Sequence, residues 1–308
     1  MKRVLIIDAL NMYFRAYIVD PSLSTNGQPI GGVKGFLKIL QKLVRETKPD
    51  HIVIAWDGAG GSQKRKSVNK GYKEGRKPLR LNRSVHNLTE NEELQNKVWQ
   101  QMRLVEVLNE TPFLQLMFES IEADDIISYI VQNSRFQGWQ KIIVSSDKDF
   151  FQLLDEETVL YRPIQKEVLN KNAVTEKYGV HPNNMALARA VVGDKSDNLD
   201  GVRGIGMPTV AKRFPFLCEE KSYRVADLVE HSENTPSSAK AYTNLLEEVE
   251  KVEQNYKLMQ LYTPSISAQT AHKINKTIDD SPRHFNKSLI RAMMLEDGFG
   301  EINWSDLF

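Results

Sequence analysis

The stretch Val4-Leu5-Ile6-Ile7-Asp8 is a short run of branched apolar residues that ends in a carboxylate. Similar runs, each bounded by polar residues, recur further along the chain at His51–Trp56, Phe113–Phe118, Lys141–Ser145 and Thr158–Tyr161. Short runs rich in β-branched and aromatic residues are typical of buried strands. The sequence therefore predicts five β-strands.

Helical periodicity fills the intervals between these strands. A helix over Val33–Arg45 would place its apolar residues on one face. Further helices are predicted at Glu92–Leu108, Ala123–Val131, Asn184–Val192 and Tyr242–Leu261. Because parallel neighbouring strands need crossover connections, we predict an α/β fold with a mainly parallel central sheet flanked by helices.

The composition of the 308 residues is that of an ordinary globular protein, with 41% hydrophobic and 26% charged residues. The net charge of +1 does not by itself indicate a nucleic-acid partner. Cys218 is the only cysteine, and no Cys/His pattern has zinc-ligand spacing, so we expect a reducing, cytoplasmic compartment. Asp8 ends the first apolar run too early for a secretion signal, and no segment has the roughly 20 apolar residues of a membrane span.

Carboxylates follow several of the predicted strands or lie in a later acidic motif. They are Asp8, Asp57, Glu122, Asp124, Asp125, Asp147, Asp149, Asp194 and Asp197. A single acid after a strand is commonly a helix N-cap or a turn residue. The ends of parallel strands, however, meet at one edge of a sheet, where so many carboxylates would repel one another unless cations neutralised them.

This set of ligands contains only oxygen donors, which favours Mg²⁺ or Mn²⁺ over zinc. Structural Ca²⁺ binding is an alternative, although no EF-hand spacing is present. Two hard divalent ions can activate water and stabilise the leaving oxygen of a displacement at phosphorus. The acids therefore predict metal-assisted hydrolysis of phosphodiesters.

A basic, glycine-containing excursion over Gly58–Asn91 follows Asp57 directly, and we predict that it is mobile. Its cations are Lys64, Arg65, Lys66, Lys70, Lys73, Arg76, Lys77, Arg80 and Arg83. Such a run is often only a solvated surface, but its position above the predicted acidic edge favours phosphate binding. Tyr72, Lys73 and Arg76 would supply a stacking ring and two cations at the cleaved phosphate.

A glycine turn over Gly201–Arg213 follows the last acids and leads into a short helix. Glycines such as Gly204 and Gly206 allow a backbone to approach phosphate closely, although such a turn is often only a helix start. Lys212 and Arg213 on the following helix favour phosphate binding.

The assembled motifs resemble those of the flap endonuclease and 5′-3′ exonuclease family, which has a PIN-like fold. The motifs are Ile7–Asn11, Trp56–Gly58, Tyr72–Arg76, Ile121–Asp125, Ser145–Asp149 and Gly193–Asn198, followed by the glycine turn. They cover residues 1 to about 215, and the length and ending are most similar to a phage member that removes RNA primers.

The resemblance implies a PIN-like core over residues 1–180, with a basic arch at 62–110, and a helical C-terminal domain over 181–308. It implies that Asp57, Glu122 and Asp124, with Asp8, bind a first Mg²⁺, and that four later acids bind a second: Asp147, Asp149, Asp194 and Asp197. Asp125 is implied to be shared or to support these ligands, and Lys73 and Arg76 to act on the cleaved phosphate.

The resemblance also implies a helix-hairpin-like motif at 193–213, which would hold duplex DNA and in some members K⁺. Arg203 and Met207 depart from that pattern, which weakens the expectation for K⁺ more than that for phosphate. The implied substrates are 5′ flaps, nicked or forked duplexes and RNA-DNA primers, bound by a monomer. The apolar residues Trp304, Leu307 and Phe308 are a candidate anchor for a replication partner such as a sliding clamp or a single-strand-binding protein, and simple packing of these residues on the domain is the alternative.

Two other classes of protein share part of this pattern. A PIN-type ribonuclease has a similar acidic cluster but is usually shorter and lacks the basic excursion and the glycine turn. A DNA-structure-binding protein with an inactive cleft would have no purpose for so many mutually repulsive acids.

Overall fold

The computed structural model describes residues 1–76, 81, 88–235, 239–280 and 284–300. Its centre is a six-stranded sheet in the order β3-β2-β1-β4-β5-β6. The strands are β1 (Arg3–Asp8), β2 (His51–Ala55), β3 (Leu114–Leu116), β4 (Gln140–Val144), β5 (Thr158–Arg162) and β6 (Glu167–Leu169). All neighbours are parallel except β6, which is antiparallel to β5. The predicted α/β class with a mainly parallel sheet is confirmed.

Helices cover both faces of this sheet. Those before the middle of the chain are α1 (Ala9–Val19), α2 (Gly31–Thr47), α3 (Gln63–Val68), α4 (Glu90–Asn109) and α5 (Ala123–Val131). Those after it are α6 (Lys171–Tyr178), α7 (Pro182–Val192), α8 (Met207–Arg213), α9 (Val225–Asn234), α10 (Lys240–Glu247), α11 (Val249–Met259), α12 (Ala268–Asp279) and α13 (Lys287–Glu296). A two-stranded hairpin, β7 (Gly193–Asp194) with β8 (Leu199–Asp200), lies between α7 and α8.

Alternate residues of β1 contribute to two separate apolar cores, as the twofold side-chain period of a strand requires. Val4 and Ile6 face a core that includes α5 and residues from α7 to α12. Leu5 and Ile7 face the other core, which includes α1, α2, α4 and α13. Burial of both faces explains why the strand is apolar at every position from Val4 to Ile7.

Two of the predicted segments differ in the structure. Tyr242–Leu261 is two helices and not one, because Glu248 leaves the helical conformation at φ −119° and ψ 24°. Its carboxylate accepts hydrogen bonds from Arg203 and Lys251 there. The described part of the basic excursion is folded into turns and α3, while the prediction of mobility for residues 77–80 and 82–87 lies outside the described residues. Within the described ranges, no helix is long and apolar enough to cross a bilayer.

Candidate active site

The carboxyl edge of the sheet carries the predicted acids. Asp8 ends β1 and caps α1, accepting a hydrogen bond from the Asn11 N–H at 3.2 Å. The Ser145 hydroxyl, which follows β4, donates to the other Asp8 oxygen at 2.9 Å. Burial, together with the charges of Asp57 and Asp147, raises the pKa of Asp8 to about 7.

Asp57 connects the end of β2 to the start of α5. Its carboxylate accepts a hydrogen bond from the Ala123 N–H at 2.7 Å, so an acid meets the positive end of a helix. The same first turn carries Asp124 and Asp125, and Glu122 occupies the N-cap position. Four of the predicted acids therefore lie around one helix terminus.

Two cations of the basic excursion contact this group. The Arg65 guanidinium pairs with Glu122 and lies 3.0 Å from an oxygen of Asp125. The Lys73 ammonium lies 2.6 Å from the second Glu122 oxygen. Asp125 also accepts a hydrogen bond from the Ser265 N–H at 2.8 Å. Glu122 and Asp125 are buried and fully engaged in this arrangement.

Asp124 and Asp147 are less well compensated. Burial and the nearby Asp147 charge raise the pKa of Asp124 well above its ordinary range, although Lys73 and Arg65 oppose the shift. Within the described part of the chain, the Asp124 carboxylate accepts no hydrogen bond. Asp147 itself accepts the Asp149 N–H at 2.8 Å, which folds the loop after β4 back on itself. The carboxylate oxygens of Asp124 are therefore available to bind a cation.

Arg189 of α7 joins two acids from different elements. Its guanidinium lies 2.7 Å from an oxygen of Asp149 and 2.6 Å from an oxygen of Asp194. Burial and the Asp147 charge raise the pKa of Asp149 to about 7, against the effect of Arg189. Partial burial alone would raise the pKa of Asp194, but hydrogen bonds from Ser196 and the Arg189 charge hold it below its ordinary value.

The hairpin between β7 and β8 is fastened to the basic excursion. The Arg76 guanidinium pairs with Asp197 and donates to the Ser196 carbonyl at 3.0 Å. The Lys73 N–H donates to the Asp197 carbonyl at 2.9 Å, and Lys73 adopts a positive φ of 58°. The excursion and the last two acids are therefore held side by side.

All nine predicted acids thus lie in one region, where the charge of Asp147 influences Asp8, Asp124 and Asp149. In the described residues, no three acidic, histidine or cysteine side chains are arranged to hold a metal ion as they stand. Arg65, Lys73, Arg76 and Arg189 occupy carboxylate oxygens of five of the acids, which are Glu122, Asp125, Asp149, Asp194 and Asp197. The donor set itself, which is oxygen-only and partly uncompensated, fits hard divalent cations.

The other predicted DNA-binding residues of the excursion differ in exposure. Lys66 and Lys70 are exposed, and the Lys64 ammonium donates to Ser265. Tyr72 is only 3% exposed and packs with Leu199, Leu258 and Met259, so its ring is not presented for stacking on a base. Its neighbour Lys73 lies 5.0 Å from the ring centroid. The predicted contact at Arg80 lies outside the described residues.

The glycine turn begins where a side chain would not fit. A Cβ on Gly201 would lie 2.0 Å from the Val192 carbonyl oxygen. Gly204 has a φ of +73°, and Gly206 occupies the N-cap of α8, with a proline in the first turn. Lys212 is exposed, whereas the Arg213 guanidinium lies over the Tyr242 ring, and Arg203 pairs with Glu247 and Glu248.

Sequence reasoning missed Arg189 as a partner of the acids and assigned Arg65 to DNA alone. A signal for Arg189 was present, since it lies five residues before Asp194 on a predicted apolar helix, where an unpaired cation would be costly to bury. For Arg65 no comparable signal existed, because its ion pairs join residues 57 and 60 positions apart.

Comparison with known proteins gives matches along most of the chain. Residues 3–179 match the family model of the 5′-3′ exonuclease, N-terminal resolvase-like domain. A 5′-3′ exonuclease of Aquifex aeolicus is 31% identical over 214 residues, which are 68% of each chain. DNA polymerase I of Caldicellulosiruptor bescii is 32% identical over 227 residues, and that of Thermus aquaticus is 30% identical over 211. The chain spans only 24% and 23% of those two polymerases.

Two solved structures from bacteriophage T5 have the same fold. A 5′-exonuclease with bound zinc ions has a TM-score of 0.71 at 20% identity, covering 91% of this chain and 99% of the other. The D15 flap endonuclease, in a complex with DNA and metal ions, has a TM-score of 0.67 at 17% identity, covering 96% and 98%. The likeness extends over the C-terminal helices, where the matching family model has already ended.

Proposed function

Because the chain belongs to the 5′-3′ exonuclease family, we propose that it is a divalent-metal-dependent nuclease that cuts phosphodiesters near the 5′ ends of branched or nicked DNA. The observation that carries this proposal is the gathering of nine acids from distant parts of the sequence at one edge of the sheet. Acids that lie so close together repel one another and destabilise the fold unless cations neutralise them, so the cluster fits a site for divalent metal ions.

We assign the first of two Mg²⁺ ions to Asp57, Glu122 and Asp124 with Asp8, and the second to Asp147, Asp149, Asp194 and Asp197. Asp125 supports the first group, since its two oxygens are held by Arg65 and the Ser265 N–H. When bound, the ions would supply an activated water and stabilise the leaving oxygen, and Mn²⁺ would substitute for Mg²⁺. The raised pKa values of Asp8 and Asp149 support this assignment, because a bound cation would offset the burial and the neighbouring acids that raise them.

Lys73 and Arg76 have a second partner available in the substrate. Both now pair with carboxylates, at Glu122 and Asp197 respectively. Once those oxygens bind metal, the two cations lie beside the acidic edge with free donors, where they hold the oxygens of the cleaved phosphate. Arg76 is half exposed and needs the smaller rearrangement.

Duplex DNA beyond the cut would lie on the glycine turn and α8, with phosphates on the exposed Lys212 and the backbone near Gly204. K⁺ binding at this turn belongs to the same proposal. The T5 flap endonuclease of similar fold is described as a complex with DNA and metal ions, which supports a DNA substrate here. Removal of RNA primers, action as a monomer and binding to a sliding clamp or single-strand-binding protein extend the proposal, and the candidate anchor at Trp304, Leu307 and Phe308 lies outside the described residues.

A 5′-labelled flap duplex, incubated with and without Mg²⁺, tests the activity. We expect release of a short labelled product that requires the metal, and a rate reduced by on the order of a hundredfold or more in Asp147→Asn. Binding to the duplex should change little, since the substitution leaves unchanged the lysine and the glycines that are proposed to hold the duplex. A single-stranded RNA without a duplex tests the PIN-type ribonuclease alternative, because the proposed nuclease requires a branched or nicked duplex.

Asp280→Asn is the matched control, because Asp280 is exposed at the end of α12, far in sequence from the acidic motifs. Equal cleavage by Asp147→Asn and Asp280→Asn would remove Asp147 from the site. Binding without cleavage by the unaltered protein in Mg²⁺ and in Mn²⁺ would favour an inactive DNA-structure-binding protein.

A further inference from the structure

A cleft of about 540 Å³ lies beside the second group of acids. It is bounded by the loop after β4, the end of α6, the inner face of α7, the β7 hairpin and the start of α8. Asp147 and Asp194 lie on its inner border, so the cleft opens directly onto the proposed site of hydrolysis. The roles proposed above for the acidic motifs and for the basic excursion give this cleft no function.

One wall of the cleft is apolar and partly aromatic. It is formed by Phe151, Tyr178, Met185, Val192 and Met207. The rings of Phe151 and Tyr178 lie 5.3 Å apart at 39°, and the half-buried Tyr178 is the more open of the two. A concave site of this volume, with mainly apolar walls and a few polar groups, is of the kind that holds a small planar ligand.

The rim of the cleft carries positive charge that is not used elsewhere. Lys148 and Lys195 are both exposed there, and in the described structure neither ammonium group makes an ion pair or a hydrogen bond. Arg189, by contrast, is held by Asp149 and Asp194 and has no role at the rim. Two free cations at the mouth of an apolar cleft are complementary to a ligand with a ring and an anionic group.

Polar groups inside the cleft are also available. The Ser146 hydroxyl oxygen is buried and, among the described residues, has no hydrogen-bond partner. Asn11 accepts the Ser146 N–H at 3.0 Å through its side-chain oxygen, and among the described residues its amide N–H₂ donates no hydrogen bond. These groups match the ring nitrogens and carbonyls of a nucleobase.

We propose that this cleft binds one nucleotide, with its base against Tyr178 and Met207 and its phosphate at Lys148 and Lys195. A base stacked in a duplex cannot enter a cleft of this size, so the nucleotide is either unpaired from the substrate strand or is a released mononucleotide. The two sources share the same chemistry. The choice of a nucleotide as the ligand rests on the proposed nuclease function.

The experiment uses flap duplexes in which an abasic residue replaces one nucleotide at a time around the cleaved bond, and it measures cleavage and binding. If a strand nucleotide enters the cleft, one abasic position reduces binding or cleavage by roughly tenfold. In Met207→Trp, which fills the cleft, the intact duplex shows that same loss and the abasic position has no further effect. Lys195→Gln, at an exposed position that folding does not need, should weaken binding of the intact duplex, whereas Lys276→Gln on α12 should not.

A second arm measures binding of 5′-deoxyribonucleoside monophosphates to the protein by saturation-transfer NMR. The released mononucleotide is the ligand if it binds to the unaltered protein but not to Met207→Trp or Lys195→Gln, and if no abasic position in the duplex affects binding or cleavage. The proposal is overturned if neither arm responds, or if the abasic effect persists unchanged in both variants. If no duplex is cut, the proposed function fails, and the measurement with mononucleotides still shows whether the cleft binds a nucleotide.

Discussion

Each acid of the candidate site depends on what faces it, and the site mixes two kinds of environment. Cationic partners are present at Glu122, Asp125, Asp149, Asp194 and Asp197, whereas Asp8 has none among the described residues. Burial and neighbouring acids raise the pKa of Asp8 to about 7, and they raise that of Asp149 to about 7 in spite of Arg189. At neutral pH the uncompensated members carry a proton or repel one another. The protein without metal is therefore held together at this edge by its own arginines and lysines.

Arg189→Met tests that view at a single residue. The substitution keeps an unbranched apolar stem but leaves Asp149 and Asp194 without their shared cation. Breaking a buried ion pair costs about 3–5 kcal/mol, and with side chains 10–18% exposed we expect a smaller loss of about 2 kcal/mol in the free energy of unfolding without metal. Added Mg²⁺ should restore part of this loss, since a divalent ion replaces the missing charge. Urea unfolding in EDTA and in Mg²⁺ measures both quantities.

Arg135→Met is the matched control. Arg135 also makes a two-pronged pair, with Asp279, but on the surface, where water and salt screen the attraction and an ion pair contributes little. Its effect should be small and independent of Mg²⁺. Equal losses in the two variants would show that Arg189 has no special relation to the acidic edge.

At the scale of elements, the sequence predicted what periodicity and burial determine. The five strands and α5 were found close to their predicted bounds, because both cores select apolar residues at those positions. Helix α1 was missed, since Asp8 caps it directly after β1 with no intervening turn signal. The hairpin of β7 and β8 was also missed, because strands of two residues have no period to detect.

The site was predictable to the same extent. Seven of the acids were found because they follow a strand or lie at the start of α5, and parallel topology brings such positions together. Asp194 and Asp197 were found only as an acidic motif, because they lie in the hairpin after α7 and follow no strand of the parallel sheet. The pairing of Arg76 with Asp197 was not predictable, because it joins residues 121 apart in a loop whose course no pattern specifies. The burial of Tyr72 had the same cause, since its neighbours Leu258 and Met259 come from α11.

Helix α7, which carries Arg189, begins at a titratable cap. The His181 Nδ1 accepts the Asn183 N–H at 3.2 Å, and burial lowers the pKa of His181 below its ordinary 6.5. A lowered folded-state pKa means that the neutral ring stabilises the fold above pH 6.5, and that this contribution is lost as the pH falls through the folded-state value. Protonation also removes the acceptor on which the cap depends.

His181→Asn should therefore remove a pH dependence. Asparagine caps helices well and does not titrate, so the unfolding free energy of the variant relative to the unaltered protein should rise between pH 7.5 and pH 5. Urea unfolding at the two pH values gives this difference, and His272→Asn at an exposed position of α12 is the control. A constant difference for His181→Asn would mean that the ring titrates alike in the folded and unfolded chains.

At the scale of the whole molecule, both cores extend across the proposed division between residues 1–180 and 181–308. The first core joins Val4 and Ile6 of β1 to Val210 of α8 and Ile274 of α12. The second joins Leu5 and Ile7 to Ile290 of α13. Neither part therefore buries its apolar surface alone. The division stays a proposal, in which both parts contribute metal ligands and DNA contacts.

We accordingly expect the chain to unfold in one cooperative transition, although its length would permit two. Because each core loses a wall when residues 181–308 are removed, a fragment of residues 1–180 should show no cooperative melting and should expose apolar surface to a hydrophobic dye. Calorimetry of the whole chain in EDTA, with comparison of the calorimetric and van't Hoff enthalpies, is the decisive measurement. Two resolved transitions, or a fragment that melts cooperatively, would show instead that the C-terminal helices form a separate folding unit that only rests on the sheet.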